Sequence, residues 1–170
     1  MPAAVITDEN LVSKLCLDCG LCCSGALFDN GILEDDEIDF ARDQGFQIIE
    51  VELKGEPRHG FAQTCPMLCG TSCSIYDQQR PSVCSAYFCE LAKNLDRGEV
   101  DLATAQGHVS NAHTLFEQLR PLLHENENYA QARKRWIANE TPNSVTPDKA
   151  RFDLLMMATK MLYDRHFRKR

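Results

Sequence analysis

The sequence predicts a mainly α-helical, single compact domain that carries a small, irregular, partly β cysteine-rich part. Three observations lead there. All nine cysteines lie between Cys16 and Cys89. From about residue 96 onward the chain is cysteine-free, and its apolar residues recur at helical spacing. Its 170 residues suffice for one domain with a real core, burying roughly 70% of the unfolded-state surface. Residues 1–170 therefore read as one domain with two parts, a cysteine cluster at 16–89 and a helical part at 96–170, because neither part alone supplies much core. No internal repeat or low-complexity tract interrupts it.

The first cysteine block, Cys16-Leu17-Asp18-Cys19-Gly20-Leu21-Cys22-Cys23, carries neither a helix nor a strand signal. A short helix is expected over Leu33 to Arg42. Acidic residues load its first turn, where the helix dipole favours them, and Gly45 stops it. Phe46 to Leu53 is rich in β-branched residues and closes at Lys54-Gly55, the mark of a strand, and Arg58 to Phe61 is its hairpin return. Cys65 to Cys89 reads mostly as turns.

The helical part is plainer. From near Glu99, the residues Leu102, Ala105, Val109, Ala112, Phe116, Leu119 and Leu123 alternate steps of three and four, a seam on one helix face that Pro121 bends or ends. A second helix covers Tyr129 to Ala138. A third starts at Thr146-Pro147-Asp148, with Thr as N-cap and Pro in the first helical position. Its apolar face is Phe152, Leu155, Met156, Leu162 and Tyr163, and Met156, Met157 and Met161 read as core filler. The terminal Arg168-Lys169-Arg170 reads as a solvated tail whose charge suits a helix C-terminus.

Composition narrows the function. Apolar residues make up 44% and charged residues 25%, which is ordinary for a soluble globular protein. A formal net charge of −7 argues against a nucleic-acid partner. No apolar run approaches the ~20 residues of a membrane span, so no membrane association is expected. The first residues lack the basic and apolar regions of a secretory signal, which points to the cytoplasm, where thiols stay reduced. An odd number of cysteines weakens a disulfide framework, and Cys22 and Cys23 are too close in the chain to pair without strain. Metal binding or redox catalysis remain.

Spacing favours the metal. Cys16-x2-Cys19-x2-Cys22 brings three thiols from one turn of chain to one centre, as in ferredoxins, and two-residue gaps suit zinc equally. Cys23 follows directly, and adjacent side chains diverge, so Cys22 and Cys23 form a fork able to serve two metals or two corners of a larger site. Two four-cysteine sites need eight thiols, and the chain supplies nine.

The cysteine block, then Cys65-Pro66-Met67-Leu68, then Cys73-Ser74-Ile75-Tyr76, then Arg80-Pro81-Ser82-Val83-Cys84 follow one another in the order of a known pattern. In them the chain resembles the CxxCxxCC family, cysteine-cluster proteins described as zinc- or iron-chelating, over about residues 16 to 89. The resemblance implies a metal ion as partner and zinc or iron, including an iron–sulfur cluster, as cofactor. Cys16, Cys19, Cys22, Cys23, Cys65, Cys73, Cys84 and Cys89 are then the expected ligands. Cys69 falls in a variable stretch of the family and is the expected spare. Ser85 departs from the family, where arginine commonly follows the last motif cysteine. Some relatives are named iron–sulfur oxidoreductases or flagellin lysine methylases, names that a cysteine motif alone does not transfer.

Arg80 and Tyr76 lie between expected ligands. A guanidinium there would offset the excess negative charge of a thiolate site, and the alternative is a surface turn with a salt bridge. His59, six residues before Cys65, is a candidate auxiliary ligand, whereas His108, His113, His124 and His166 read as ordinary helix residues. The leading expectation is a cytosolic metal-binding protein. The alternatives are a cluster-dependent oxidoreductase or protein-modifying enzyme, and a thiol redox sensor. No paired carboxylates, Cys–His nucleophile arrangement or glycine-rich nucleotide loop supports the enzyme reading, and no thioredoxin-like context surrounds the C-x-x-C pairs.

Overall fold

The computed structural model describes residues 8–138 and 146–168. Their architecture is mainly helical with two small antiparallel sheets. Helix α1 (Asp8–Cys19) is the first described element. The two-residue gaps of the cysteine block are also helical spacing, so Leu15 with Val12, and Cys16 with Cys19, share the face that packs on the core. The expectation that this block lacks helix is therefore corrected at its first half: Cys16 and Cys19 close α1, and Gly20 ends it at a left-handed φ of 60°.

After strand β1 (Asn30–Ile32) and one 3₁₀ turn comes the expected short helix, α2 (Ile38–Asp43). The hairpin β2 (Ile48–Leu53) and β3 (Glu56–Ala62) follows, turning through Lys54 and Gly55, both at positive φ as tight hairpin turns require. β3 lies between β1 and β2 in the sheet. A minimal hairpin, β4 (Leu68–Cys69) with β5 (Ser72–Cys73), and helix α3 (Ser82–Ala86) order the stretch read as turns.

Helix α4 (Glu90–Asp96) has no counterpart in the sequence reading. Its N-cap is Cys89, whose Sγ accepts the Ala92 N–H at 3.5 Å, and cysteine is not a residue that signals a cap. Helix α5 (Leu102–Leu119) starts three residues later than Glu99 because Asp101 caps it, accepting the Thr104 N–H at 2.7 Å. It ends just before Pro121. Helix α6 (Tyr129–Ile137) opens on an Asn128–Gln131 capping box, and α7 (Pro147–His166) on Thr146 as expected.

Two apolar cores result. The larger joins α1, α4, α5, α6 and α7 around Tyr129, Tyr163, Phe167 and Leu119. The smaller lies under the three-stranded sheet and holds Leu33, Ala41, Phe46, Phe61 and Ile75. Two expectations fail on α7. Met156 is fully buried, but Met157 is 54% and Met161 67% exposed, so only one methionine of the three fills core. Arg168 is not a solvated tail residue. It donates to the Leu27 carbonyl at 2.9 Å and lies over the Tyr163 ring. Lys169 and Arg170 lie outside the described residues.

Candidate metal centre

Six stretches of chain bring the cysteines together. α1 delivers Cys16 and Cys19, and the turn after Gly20 delivers Cys22 and Cys23. The Cys65 N–H donates to the Cys23 carbonyl at 2.8 Å, which sets the end of β3 against the first block. The β4–β5 hairpin carries Cys73 and is tied to α1 by the Ser72 hydroxyl, which donates to the Leu17 carbonyl at 3.0 Å. Cys84 sits in α3, whose first N–H, from Ser82, donates to Glu37 Oε1 at 2.6 Å. Cys89 comes from the cap of α4.

The thiols fall into two neighbourhoods. Burial pushes Cys16 up to about 11 and Cys19 up to about 12, and Cys89 beside both adds to the rise. Cys22 is raised well above the ordinary thiol value by burial, then by Cys19, Cys89, Cys23 and Cys16. Cys89 is raised by burial, against the pull of backbone N–H groups at the start of α4. The other neighbourhood centres on Cys23, pushed up to about 12 by burial and then by Cys65, Cys84 and Cys73. Burial and then Cys73 raise Cys65. Cys84 is exposed as a residue, yet its thiol is raised to about 11 by desolvation and then by Cys65.

The cores divide the same residues apart from Cys84. Cys16, Cys19, Cys22 and Cys89 pack on the helical core, and Cys23, Cys65 and Cys73 on the sheet core. The division passes through the peptide bond between Cys22 and Cys23. Cys69 is exposed on β4 and belongs to neither set. All nine cysteines are free thiols. Among the described residues, no three Cys, His, Asp or Glu side chains converge closely enough to hold an ion as they stand. The two sets are thus neighbourhoods of thiols rather than finished coordination shells. Their donor chemistry still fits: four sulfurs and no other ligand type is the set that structural zinc and iron–sulfur clusters take.

Arg80 stands between the sets. Its charge lowers Cys16 on one side and Cys23 and Cys84 on the other, and its guanidinium lies 4.2 Å from the centre of the Tyr76 ring. Stacking of this kind holds the cation in place. Among the described residues its side-chain partner is this aromatic ring. His59 does not join the thiols. It is half-exposed, and its Nδ1 lies 3.6 Å from the Asp35 carboxylate.

Three nearby groups carried no local sequence signal. His113 bonds through Nε2 to the Cys19 carbonyl at 2.8 Å, fixing the last turn of α1 from α5. The Tyr87 hydroxyl is raised by burial and by Cys22 and Cys89, and its ring meets Phe28 edge-on at 5.0 Å. Glu37, besides capping α3, adds to the rise of Cys84. His113 and Glu37 reach the site across tens of residues of sequence, and Tyr87 meets Cys22 in the same way although it lies two residues before Cys89.

The fold and this donor set define a small helical protein organised around clustered thiols. The chain belongs to the CxxCxxCC family: residues 15–105 match the family's model, whose description is "Putative zinc- or iron-chelating domain". That description supports metal binding. No curated protein and no solved structure matches the chain.

Proposed function

We propose that this protein is a cytoplasmic metal-binding protein holding zinc or iron, the iron as an iron–sulfur cluster, at two four-cysteine sites. Cys16, Cys19, Cys22 and Cys89 hold one, and Cys23, Cys65, Cys73 and Cys84 the other. The observation that carries this reading is the sorting of eight thiols into two neighbourhoods of four, divided at the Cys22–Cys23 peptide bond and matched, for every thiol but Cys84, by the two apolar cores. Bound metal would keep the thiolates deprotonated despite their buried surroundings. Four thiolates around one divalent ion leave excess negative charge, and Arg80, close to both sets, would offset part of it. Cys16, Cys19 and Cys22 leave α1 and its turn, so filling both sites would lock the N-terminal segment onto α4, the β4–β5 hairpin and α3.

The thiol-sensor reading is disfavoured by the same chemistry. Sensor and exchange cysteines have lowered pKa values and accessible sulfurs, whereas burial raises Cys16, Cys19 and Cys23. Metal analysis and an absorption spectrum of anaerobically purified protein test the proposal. Metal in both sites is expected, with Cys22→Ser and Cys89→Ser emptying one, Cys23→Ser and Cys73→Ser the other, and Cys69→Ser neither. Identical losses from Cys22→Ser and Cys23→Ser would refute the two-site reading. Metal-free protein with reactive thiols would refute metal binding.

A further inference from the structure

Where α6 packs on the end of α7, the fold buries polar groups that it does not pair. Tyr129 opens α6, Tyr163 lies on α7, and their rings meet edge-on at 5.3 Å. Both side chains are fully buried, yet neither hydroxyl has a hydrogen-bond partner among the described residues. A buried hydroxyl without a partner forfeits its hydration, so native folds rarely leave two side by side. Two guanidinium groups border the pair. Arg133 follows Tyr129 by four residues on the same face of α6, and its buried Nε also lacks an acceptor among the described residues. Arg168 lies over the Tyr163 ring at 5.7 Å. One of its terminal amines donates to the Leu27 carbonyl, and a guanidinium has further N–H donors to offer.

Charge decides what this cluster receives. Burial and then Arg133 hold Arg168 below the ordinary guanidinium value, so the two cations face each other. Burial raises the Tyr129 hydroxyl, and Arg133 and then Arg168 pull against it. Asp164, the acid beside them, already pairs with Lys160. Three cations against one carboxylate leave two positive charges without a counter-charge among the described residues. On its inner side Tyr163 faces Cys19 and Cys22, so the cluster backs onto the first thiol set. The unmet groups are therefore O–H and N–H donors, and the surplus charge is positive. A metal cation or an apolar solute answers neither need. An oxyanion answers both, and the planar fork of arginine matches carboxylate and phosphate alike. Asp164 and Arg168 also line the open groove between α5 and α7, through which a small solute reaches the cluster.

We propose that Tyr129, Arg133, Tyr163 and Arg168 form a binding site for a small oxyanion, the phosphate or carboxylate group of a solute, which accepts from the two hydroxyls and the two guanidinium groups. The site uses none of the thiols. Its test titrates inorganic phosphate and succinate separately into the full chain in chloride buffer, read by calorimetry. Saturable binding of one equivalent of at least one anion is expected, and which of the two binds identifies the group recognised. Tyr129→Phe keeps the ring and removes the hydroxyl, and it should weaken binding about tenfold. Arg133→Gln should weaken it by at least as much. Without ligand, Tyr129→Phe should melt no lower than the parent, since it loses only an unpaired hydroxyl, and the metal content of both variants should stay that of the parent. Saturable binding of neither anion would overturn the proposal, and so would binding indifferent to either substitution. A ligand-free Tyr129→Phe that melts well below the parent would overturn it too, because the hydroxyl would then be held by an internal partner such as a buried water.

Discussion

Gly20→Ala perturbs the point where the first cysteine block meets the β4–β5 hairpin, and its cost can be worked from two features. Gly20 sits at φ 60°, where an L side chain costs about 1–2 kcal/mol. A Cβ there would also stand 2.5 Å from the Thr71 carbonyl oxygen, backbone that cannot swing aside as a side chain can. Thr71 is held by the adjacent Ser72 hydroxyl bond to Leu17, and Gly20 by the Cys23 and Ser24 N–H groups that donate to its own carbonyl. Forced separation of fixed parts costs about 1–3 kcal/mol. The sum is about 2–5 kcal/mol, or roughly 4–20 °C in melting temperature for a chain of this size. Gly98→Ala is the control: its φ is 69° and a Cβ there meets nothing within 4 Å, so only the conformational cost of about 1–2 kcal/mol applies. Calorimetry on the two variants separates the effects. Gly20→Ala should melt clearly below Gly98→Ala and retain less metal. Equal melting temperatures would refute the close approach of Gly20 to Thr71 as a structural constraint.

Arg80→Ala should weaken metal retention at both sites by about tenfold or more, measured by chelator competition, and Arg80→Lys should recover only part because it loses the planar stack on Tyr76. The metal-free protein should lose stability on the alkaline side. Folded-state thiols near 11 and 12 lie above the ordinary 9.0, so from pH 9.0 upward the unfolded chain releases protons that the folded chain keeps, and the melting temperature falls with pH. A flat profile from about pH 8 to about pH 10.5 would contradict that burial; metal-loaded protein should show the weaker dependence. Arg135→Ala removes one partner of the ion pair in which Nε and the terminal amine bind the Glu127 carboxylate at 2.8 and 2.9 Å, both side chains being largely buried. It should cost about 3 kcal/mol in denaturant unfolding and leave metal content unchanged.

Much of the fold was legible because its determinants are local. Thr146-Pro147, the seam from Leu102 to Leu119 and the turn at Lys54-Gly55 each act within a few residues, through capping, periodicity and backbone conformation. The elements that escaped lack such signals. α1 hides its helical face in cysteines, whose spacing reads as chemistry, and α4 is capped by a cysteine sulfur. Met157 and Met161 show the limit of periodicity, which reports that a helix is apolar on a face but not whether anything covers that face.

For the candidate site, the sequence by itself determined the thiol inventory and the divergence of Cys22 from Cys23, since adjacent side chains cannot point the same way. Its motif order determined the family. Only the tertiary structure placed Cys89 near Cys16, Cys19 and Cys22, and Cys65, Cys73 and Cys84 near Cys23. It also placed Arg80 beside both sets and brought His113 to the end of α1. These relations depend on where two separate cores put six stretches of chain. Such placement is fixed by long-range packing and by hydrogen bonds such as Cys65 to Cys23, which leave no trace in residue spacing.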